Sequence, residues 1–386
     1  MTKNKNYSPA IILVLLAALV SVSWLYVIEK DSSAKERNNT ENVSAVGSEG
    51  NSNSEQHFAW KMVTSWPKNF PGLGTAPEHF AQAVEAMSDG RLTIRVYGAG
   101  EIVPAMEVFS AVSQGTAEMG HSGAYYWKGK IPSSPFFTAV PFGLTAIEQN
   151  GWLYYGGGLE LWREVYEPFN LIPLAGGNTG VQMAGWFNKE INSLEDLKGL
   201  KMRIPGLGGE VFSRAGGTAV TMPGGELYTS LQTGLIDATE WVAPYNDMAL
   251  GLHEVAKYYY YPGWHEPGPS LELVINKDAF ATLPKDLQTI VEIAARYANQ
   301  DMLDEYTARN SSSLIDLEKN YDTKIMKLPD DVIRELKSIS EEYLEELAGQ
   351  DELTAKVYKS WKAYADSVRD YHHISEQAYI NARDLE

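Results

Sequence analysis

Apolar and polar positions along this chain fall into blocks of different period. Lys3 and Lys5 precede an apolar run from Pro9 to Ile28. A basic segment before such a run predicts an export signal, and Ser21-Val22-Ser23 offers small residues for cleavage. Left uncleaved, Ala10–Ile28 comes close to the length of a bilayer span, so residues 1–28 are either a signal peptide or an anchor. Residues 29–56 are rich in Ser, Asn and Glu, a flexible linker with an average reach of about 30 Å.

From Phe58 the periods alternate between two and 3.6. Phe58–Trp66 predicts a strand, and Pro77–Ser88 a helix with Phe80, Val84 and Met87 on one face. Leu92, Ile94 and Val96 alternate with Thr93 and Arg95, a half-buried strand. Pro104 opens a helix that Gly115 closes. Further on, Gln182–Phe187, Leu200–Ile204, Ile236–Trp241 and Leu271–Ile275 predict strands. Ser193 caps a short helix, and helices are expected at Glu210–Ala215, Gly225–Thr233 and Asp286–Ser311. The alternation argues for an α/β protein with mostly parallel sheets, in two lobes around a cleft. The expected boundaries are 57–150 plus about 241–270 for lobe 1, and 151–240 plus about 271–340 for lobe 2. The chain is helical again from Asp331. Residues 341–386 form a C-terminal extension in which Leu353, Val357, Trp361, Tyr364, Val368, Tyr371 and Ile374 make an apolar stripe. That stripe packs on its own body or forms a homodimer surface.

Composition narrows the chemistry. Of 386 residues, 44% are hydrophobic and 21% charged, which fits a folded chain with a core of its own. The absence of cysteine excludes disulfides, thiolate metal sites and cysteine nucleophiles. A net charge of −18 makes a nucleic-acid partner a poor fit.

Arg203 ends a short strand before Pro205-Gly206, where a guanidinium can fork onto a carboxylate. A salt bridge at the surface is the simpler alternative. Glu240 ends another strand and needs a cation or a donor, and the backbone carbonyl beside it is a natural oxygen ligand for a hard ion. Tyr261-Pro262-Gly263-Trp264-His265-Glu266-Pro267-Gly268 is turn-rich and aromatic, suited either to a ligand pocket or to a sheet edge. Gly206-Leu207-Gly208-Gly209 and Gly176-Gly177-Asn178-Thr179-Gly180 look like phosphate cradles but lack the rest of any nucleotide motif. His372-His373 is expected to be solvated. Glu240 with Glu266 could be the acid and base of an exported glycoside hydrolase, or serve a carbohydrate-binding protein.

Ile191-Asn192-Ser193-Leu194-Glu195-Asp196-Leu197-Lys198-Gly199-Leu200-Lys201-Met202-Arg203-Ile204-Pro205-Gly206 resembles the signature segment of the DctP-type substrate-binding proteins of TRAP (tripartite ATP-independent periplasmic) transporters. Leu231-Gln232-Thr233-Gly234-Leu235-Ile236-Asp237-Ala238 and Asn276-Lys277 with Leu283-Pro284 resemble two further segments of that family. Gly177–Gln182, Asp237–Val242 and Tyr261–Gly268 are similar to the clade that binds 2-oxo acids with a metal ion.

The resemblance implies a two-lobe periplasmic-binding-protein fold of type II kind with a C-terminal helical extension. It implies no catalysis: a receptor in the periplasm would deliver a pyruvate-like 2-oxo monocarboxylate to the transporter's membrane subunits. It places the substrate against Gln182, Arg203, Trp241 and Glu266. It places a metal cation, Na⁺ or Ca²⁺, against Gln182, Glu240 and the Trp241 carbonyl. It also implies a homodimer through an exchanged C-terminal helix. Formal charge agrees with a cation: Arg203, Glu240, Glu266 and a monocarboxylate sum to −2, which one Na⁺ reduces to −1 and one Ca²⁺ to zero, with protonation of Glu266 as the other escape.

Overall fold

The computed structural model describes residues 56–385, so the expected signal or anchor and nearly all of the linker lie outside the described residues. Among the described residues, eleven strands form two sheets. In chain order they are Phe58–Thr64 (β1), Leu92–Tyr97 (β2), Met119–Ser122 (β3), Leu171–Asn178 (β4), Gly185–Phe187 (β5), Lys201–Arg203 (β6), Thr218–Val220 (β7), Ala238–Thr239 (β8), Tyr258–Tyr261 (β9), Ser270–Asn276 (β10) and Lys324–Lys327 (β11). The first sheet runs β2-β1-β3-β10-β4 and the second β11-β9-β5-β8-β6-β7. Pairs β1/β2, β1/β3, β6/β7, β6/β8 and β9/β11 are parallel, whereas β10 and β5 run antiparallel to their neighbours. The α/β class expected from the sequence holds, with helices Asp330–Ala348, Glu352–Ile374 and Glu376–Arg383 as its C-terminal extension.

Strand membership differs from the expected lobe boundaries. Tyr258–Tyr261 pairs in the second sheet, and Leu171–Asn178 and Ser270–Asn276 pair in the first. These partners are far apart in sequence, and β10 is buried along its whole length. It therefore lacks the in-out alternation that would tie it to one face of one sheet. The chain consequently crosses between sheets at residues 179–184 and 262–269, and a third time along the helix Lys285–Asn320, which is 36 residues long.

Two carboxyl groups sit in the core without a cation. Glu272 of β10 accepts from the Trp127 indole and from the Tyr166 hydroxyl at 2.7 Å. Asp247 accepts from Trp186 Nε1 at 3.0 Å, Tyr259 Oη at 2.7 Å and the Val242 amide at 3.0 Å. Burial pushes each up to about 7, against the lowering effect of those bonds.

The C-terminal stripe divides. Val357 and Trp361 are buried, with the Trp361 ring 5.8 Å from Phe136, and Tyr364 sits against Gly151. Tyr371 and Ile374 are exposed, as are Tyr379 and Leu385 beyond them. His372 departs from its expected solvated state: Nδ1 lies 2.7 Å from Glu148 Oε1, while His373 is exposed. Among the described residues, no helix is long and apolar enough to cross a membrane.

Glu272 and Asp247 keep their protons in the folded chain up to about pH 7 but lose them near pH 4 when unfolded. The folded state then holds more protons, and stability falls as pH rises through that window. His121, lowered to about 4 chiefly by burial, acts in the opposite sense, but only below about pH 6.5. Denaturant unfolding is therefore expected to give lower stability at pH 8 than at pH 6.5, by about 1 kcal/mol for each carboxyl. Glu272→Gln should flatten the slope, and a profile level across that interval in the unaltered protein would contradict the account.

Candidate functional site

Arg203 is the last residue of β6, and Glu240 directly follows β8, its parallel neighbour. The register sets Arg203 opposite Thr239, so both side chains emerge at the same end of the sheet, where α/β folds build sites. The Glu240 amide donates to the Arg203 carbonyl at 3.2 Å. Arg203 Nη1 forms an ion pair with Glu240 Oε1, both side chains being 1% exposed. The guanidinium also donates from Nε to the Met222 carbonyl at 3.2 Å, from Nη1 to the Glu240 carbonyl at 3.3 Å, and from Nη2 to the Tyr126 hydroxyl at 3.2 Å. Its Cζ lies 5.0 Å from the centre of the Trp241 ring.

Trp241 follows Glu240, whereas Gln182 and Glu266 come from the two crossings of non-helical chain, which are laced together. Asn178 Nδ2 donates to the Gly268 carbonyl at 3.1 Å, and its Oδ1 accepts from the Gly180 amide at 2.8 Å. The Gln182 amide donates to the Glu266 carbonyl at 3.2 Å and the Met183 amide to the Val242 carbonyl at 2.9 Å. A Cβ at Gly263 would lie 2.1 Å from the Gln182 carbonyl oxygen. Gln182 Nε2 donates to Glu266 Oε2 at 2.8 Å and to Thr179 Oγ1 at 3.3 Å. The Gln182 Oε1, Trp241 Nε1 and His265 Nδ1 atoms are buried with no hydrogen-bond partner.

Charge is concentrated here. Burial alone would lower the guanidinium of Arg203, but Glu240 and the two tyrosines Tyr126 and Tyr125 more than reverse it, so the group stays cationic. Burial first, then the charge of Glu240, holds the Glu266 carboxyl well above its usual range, against the opposing pull of Arg203 and Gln182. Glu240, His265 and Glu266 each present a ligand atom within 4.8 Å of the others. Two carboxylates and an orphaned amide oxygen suit a cation, so the side chains present fit the metal that the resemblance implies.

The structure thus brings all five predicted residues, Gln182, Arg203, Glu240, Trp241 and Glu266, into one buried cluster. It pairs Arg203 with Glu240 rather than leaving it at the surface. The glycine runs serve close packing: Gly208 faces His265, Gly206 faces Tyr125, and Gly176 faces Leu273. Sequence reasoning missed Tyr125 and Tyr126, which lie on a short 3₁₀ turn, Ala124–Trp127. They line a cavity of about 200 Å³ together with Ile204, Pro205 and Gly206. The unexplained Tyr-Tyr-Trp run was the only local signal. Of two larger grooves, the one of about 690 Å³ is lined by Gln182 and the one of about 480 Å³ lies elsewhere, and neither contains Arg203 or Glu240. The glycoside hydrolase alternative finds no support: two catalytic carboxyls need a sugar bond between them, whereas Glu240 and Glu266 are both buried and Glu240 is paired with Arg203.

Comparison with known proteins agrees. A monocarboxylate 2-oxoacid-binding periplasmic protein of Nostoc sp. (strain PCC 7120) is 46% identical over 322 residues, 83% of this chain and 88% of its own. A TRAP periplasmic solute-binding protein of Pseudoalteromonas atlantica, solved with sodium and pyruvate, superposes with a TM-score of 0.83 at 45% identity, covering 86% of this chain and 100% of its own. One from Colwellia psychrerythraea, solved with calcium and pyruvate, gives 0.83 at 44% identity, covering 85% and 100%. Residues 62–351 match the DctP family, the bacterial extracellular solute-binding proteins of family 7. The chain belongs to that family: it is an extracytoplasmic solute-binding protein rather than an enzyme.

Proposed function

We propose that the protein captures a small 2-oxo monocarboxylate of pyruvate kind together with Na⁺ or Ca²⁺ and presents it to the membrane subunits of a TRAP transporter. The observation that carries this reading is the buried Arg203–Glu240 pair, set beside the unpartnered Gln182 Oε1 and a second carboxyl, Glu266. The 2-oxoacid name of the Nostoc relative and the pyruvate in the two solved neighbours support the ligand class.

The pair explains why anion and cation would bind together. An anion alone would draw Arg203 away from Glu240 and leave a buried carboxylate uncompensated, which costs several kcal/mol. A cation alone would free Glu240 but strand the guanidinium. Taken together, the ligand carboxylate replaces Glu240 on Arg203, and Glu240 turns to the ion. Gln182 Oε1, Glu240 and the Trp241 carbonyl would hold that ion, which would supply charge and chelate a carboxylate oxygen with the neighbouring C2 oxygen. A simple fatty acid lacks that second oxygen. Trp241 stays packed beside Arg203, and Glu266, on the other side of Gln182, forms the substrate-side wall. Tyr126 would keep its bond to Arg203 and steer the fork.

Two lobes built around the two sheets would close on the ligand by hinging at residues 179–184 and 262–269. Residues 1–28 would direct export or tether the receptor. The exposed Tyr371, Ile374, Tyr379 and Leu385 support a homodimer formed through the end of the chain.

Arg203→Lys keeps the charge but loses the fork, and pyruvate affinity by calorimetry should fall at least 100-fold, about 2.7 kcal/mol. A loss within threefold would remove Arg203 from the ligand. Ca²⁺ and pyruvate should raise each other's affinity by the same factor, and an unchanged pyruvate isotherm in buffer free of sodium and calcium would reject the paired binding. Deleting residues 371–386 spares the packed half of the stripe and should yield monomers in light scattering; a full-length protein already monomeric would refute the homodimer.

A further inference from the structure

The cation reading uses oxygen ligands only, yet one nitrogen belongs to the same cluster. His265 is 1% exposed, and its Nε2 lies 3.4 Å from Glu240 Oε2, the oxygen that Arg203 leaves free. That is long for a hydrogen bond, where N–H···O distances centre near 2.9–3.0 Å. It does match the edge of a tetrahedron of ligand atoms about 2.1 Å from a central ion, the bond length at which imidazole and carboxylate hold zinc. Glu266 is the third member of the group, with a ligand atom of each residue within 4.8 Å of the others, so its carboxyl would move inward to complete the set. Two polar atoms beside this group lack partners, although the first belongs to the oxygen-only mode. The amide head of Gln182, bonded through Nε2 to Glu266, has its Oε1 buried and unpartnered. His265 Nδ1 is also buried and unpartnered, and the ring's long hydrogen bond runs from Nε2 to Glu240 Oε2. The ring has little freedom to swing elsewhere, because its Cβ sits against Gly208 and its ring packs edge-on to Trp264 at 5.5 Å.

We propose that Glu240, His265 and Glu266 form a second cation-binding mode selective for first-row transition-metal dications such as Zn²⁺ and Co²⁺, sharing Glu240 with the oxygen-only mode for Na⁺ or Ca²⁺. It rests on the reading above only in that the cluster takes cations. Imidazole suits zinc, cobalt and nickel, whereas calcium and sodium favour oxygen. Because Glu240 serves both modes, the two ions exclude each other, and a transition metal in the cluster displaces the ion that assists the organic anion. With Arg203 at +1 and both glutamates ionised, a dication leaves a net +1, which a monocarboxylate cancels. The nitrogen mode therefore binds an anion as well, with a different selectivity.

The test uses full-length, metal-stripped protein titrated with Co²⁺ alone, which can take Glu240 Oε2 while Arg203 keeps Oε1, then with Zn²⁺ and with Ca²⁺ by calorimetry. Co²⁺ should give a saturable visible absorption band that Zn²⁺ abolishes. Paramagnetically shifted proton signals from one imidazole should appear, a readout that needs no variant. His265→Gln should lower the ratio of Zn²⁺ to Ca²⁺ affinity at least tenfold, about 1.4 kcal/mol. Absence of a saturable band, absence of the imidazole signals, or a ratio changed by less than threefold would each overturn the proposal. Failure of pyruvate to bind with any cation would instead defeat the earlier reading, and the Co²⁺ spectrum would still decide this one.

Discussion

A guanidinium and a carboxylate buried side by side at the ends of two parallel strands govern the rest of this site. Removing both charges from water is costly, and their mutual attraction returns that cost only while each keeps its partner. Arg203 and Glu240 meet the condition with each other, with the Met222 and Glu240 carbonyls, and with Tyr126. Whatever enters must satisfy both ends at once. In the proposed function the pair would act as an internal placeholder for an anion and for an oxygen-held cation, and would disfavour uptake of either alone by that route.

The fold supplies the geometry at little cost to itself. Parallel pairing of β6 with β8 fixes the separation of the two charged residues through the backbone. The two crossings then bring Gln182 and Glu266 to the same place from opposite sides, held by Asn178, Gly180 and Gly268. Aromatic rings enclose the charges: Trp241 beside the guanidinium, with Trp66 and Phe70 edge-on to Trp241 at 6.2 and 6.3 Å. A surround of this kind lowers the local dielectric and strengthens every contact inside it.

The sequence made much of this legible, for identifiable reasons. Arg203 ends one short strand and Glu240 follows another, so their position at the strand ends follows from local pattern, and the family resemblance supplied their expected ligands but not their pairing with each other. The two-sheet topology was less legible. Leu171–Asn178 contains Gly176-Gly177, and its partner Ser270–Asn276 is buried throughout, so neither shows the alternation that announces a half-exposed strand. Tyr125 and Tyr126 reach the site from a single 3₁₀ turn, which has no period to detect. His265 stood inside a quoted motif without a role, because only the folded backbone shows which oxygen it faces.

The closeness of the two crossings bears on how ligand preference can diversify. Gly263 touches the Gln182 carbonyl, and Gly268 lies against the backbone of Thr145 and Ala146. No larger residue fits at Gly263 without separating the segments that carry Gln182 and Glu266, nor at Gly268 without displacing Thr145 and Ala146. That wall is mechanically committed, whereas the tyrosine wall at Tyr125 and Tyr126 borders open volume. A change toward bulkier acids would therefore be accommodated more readily on the tyrosine side of the pocket than on the side that carries Gln182 and Glu266.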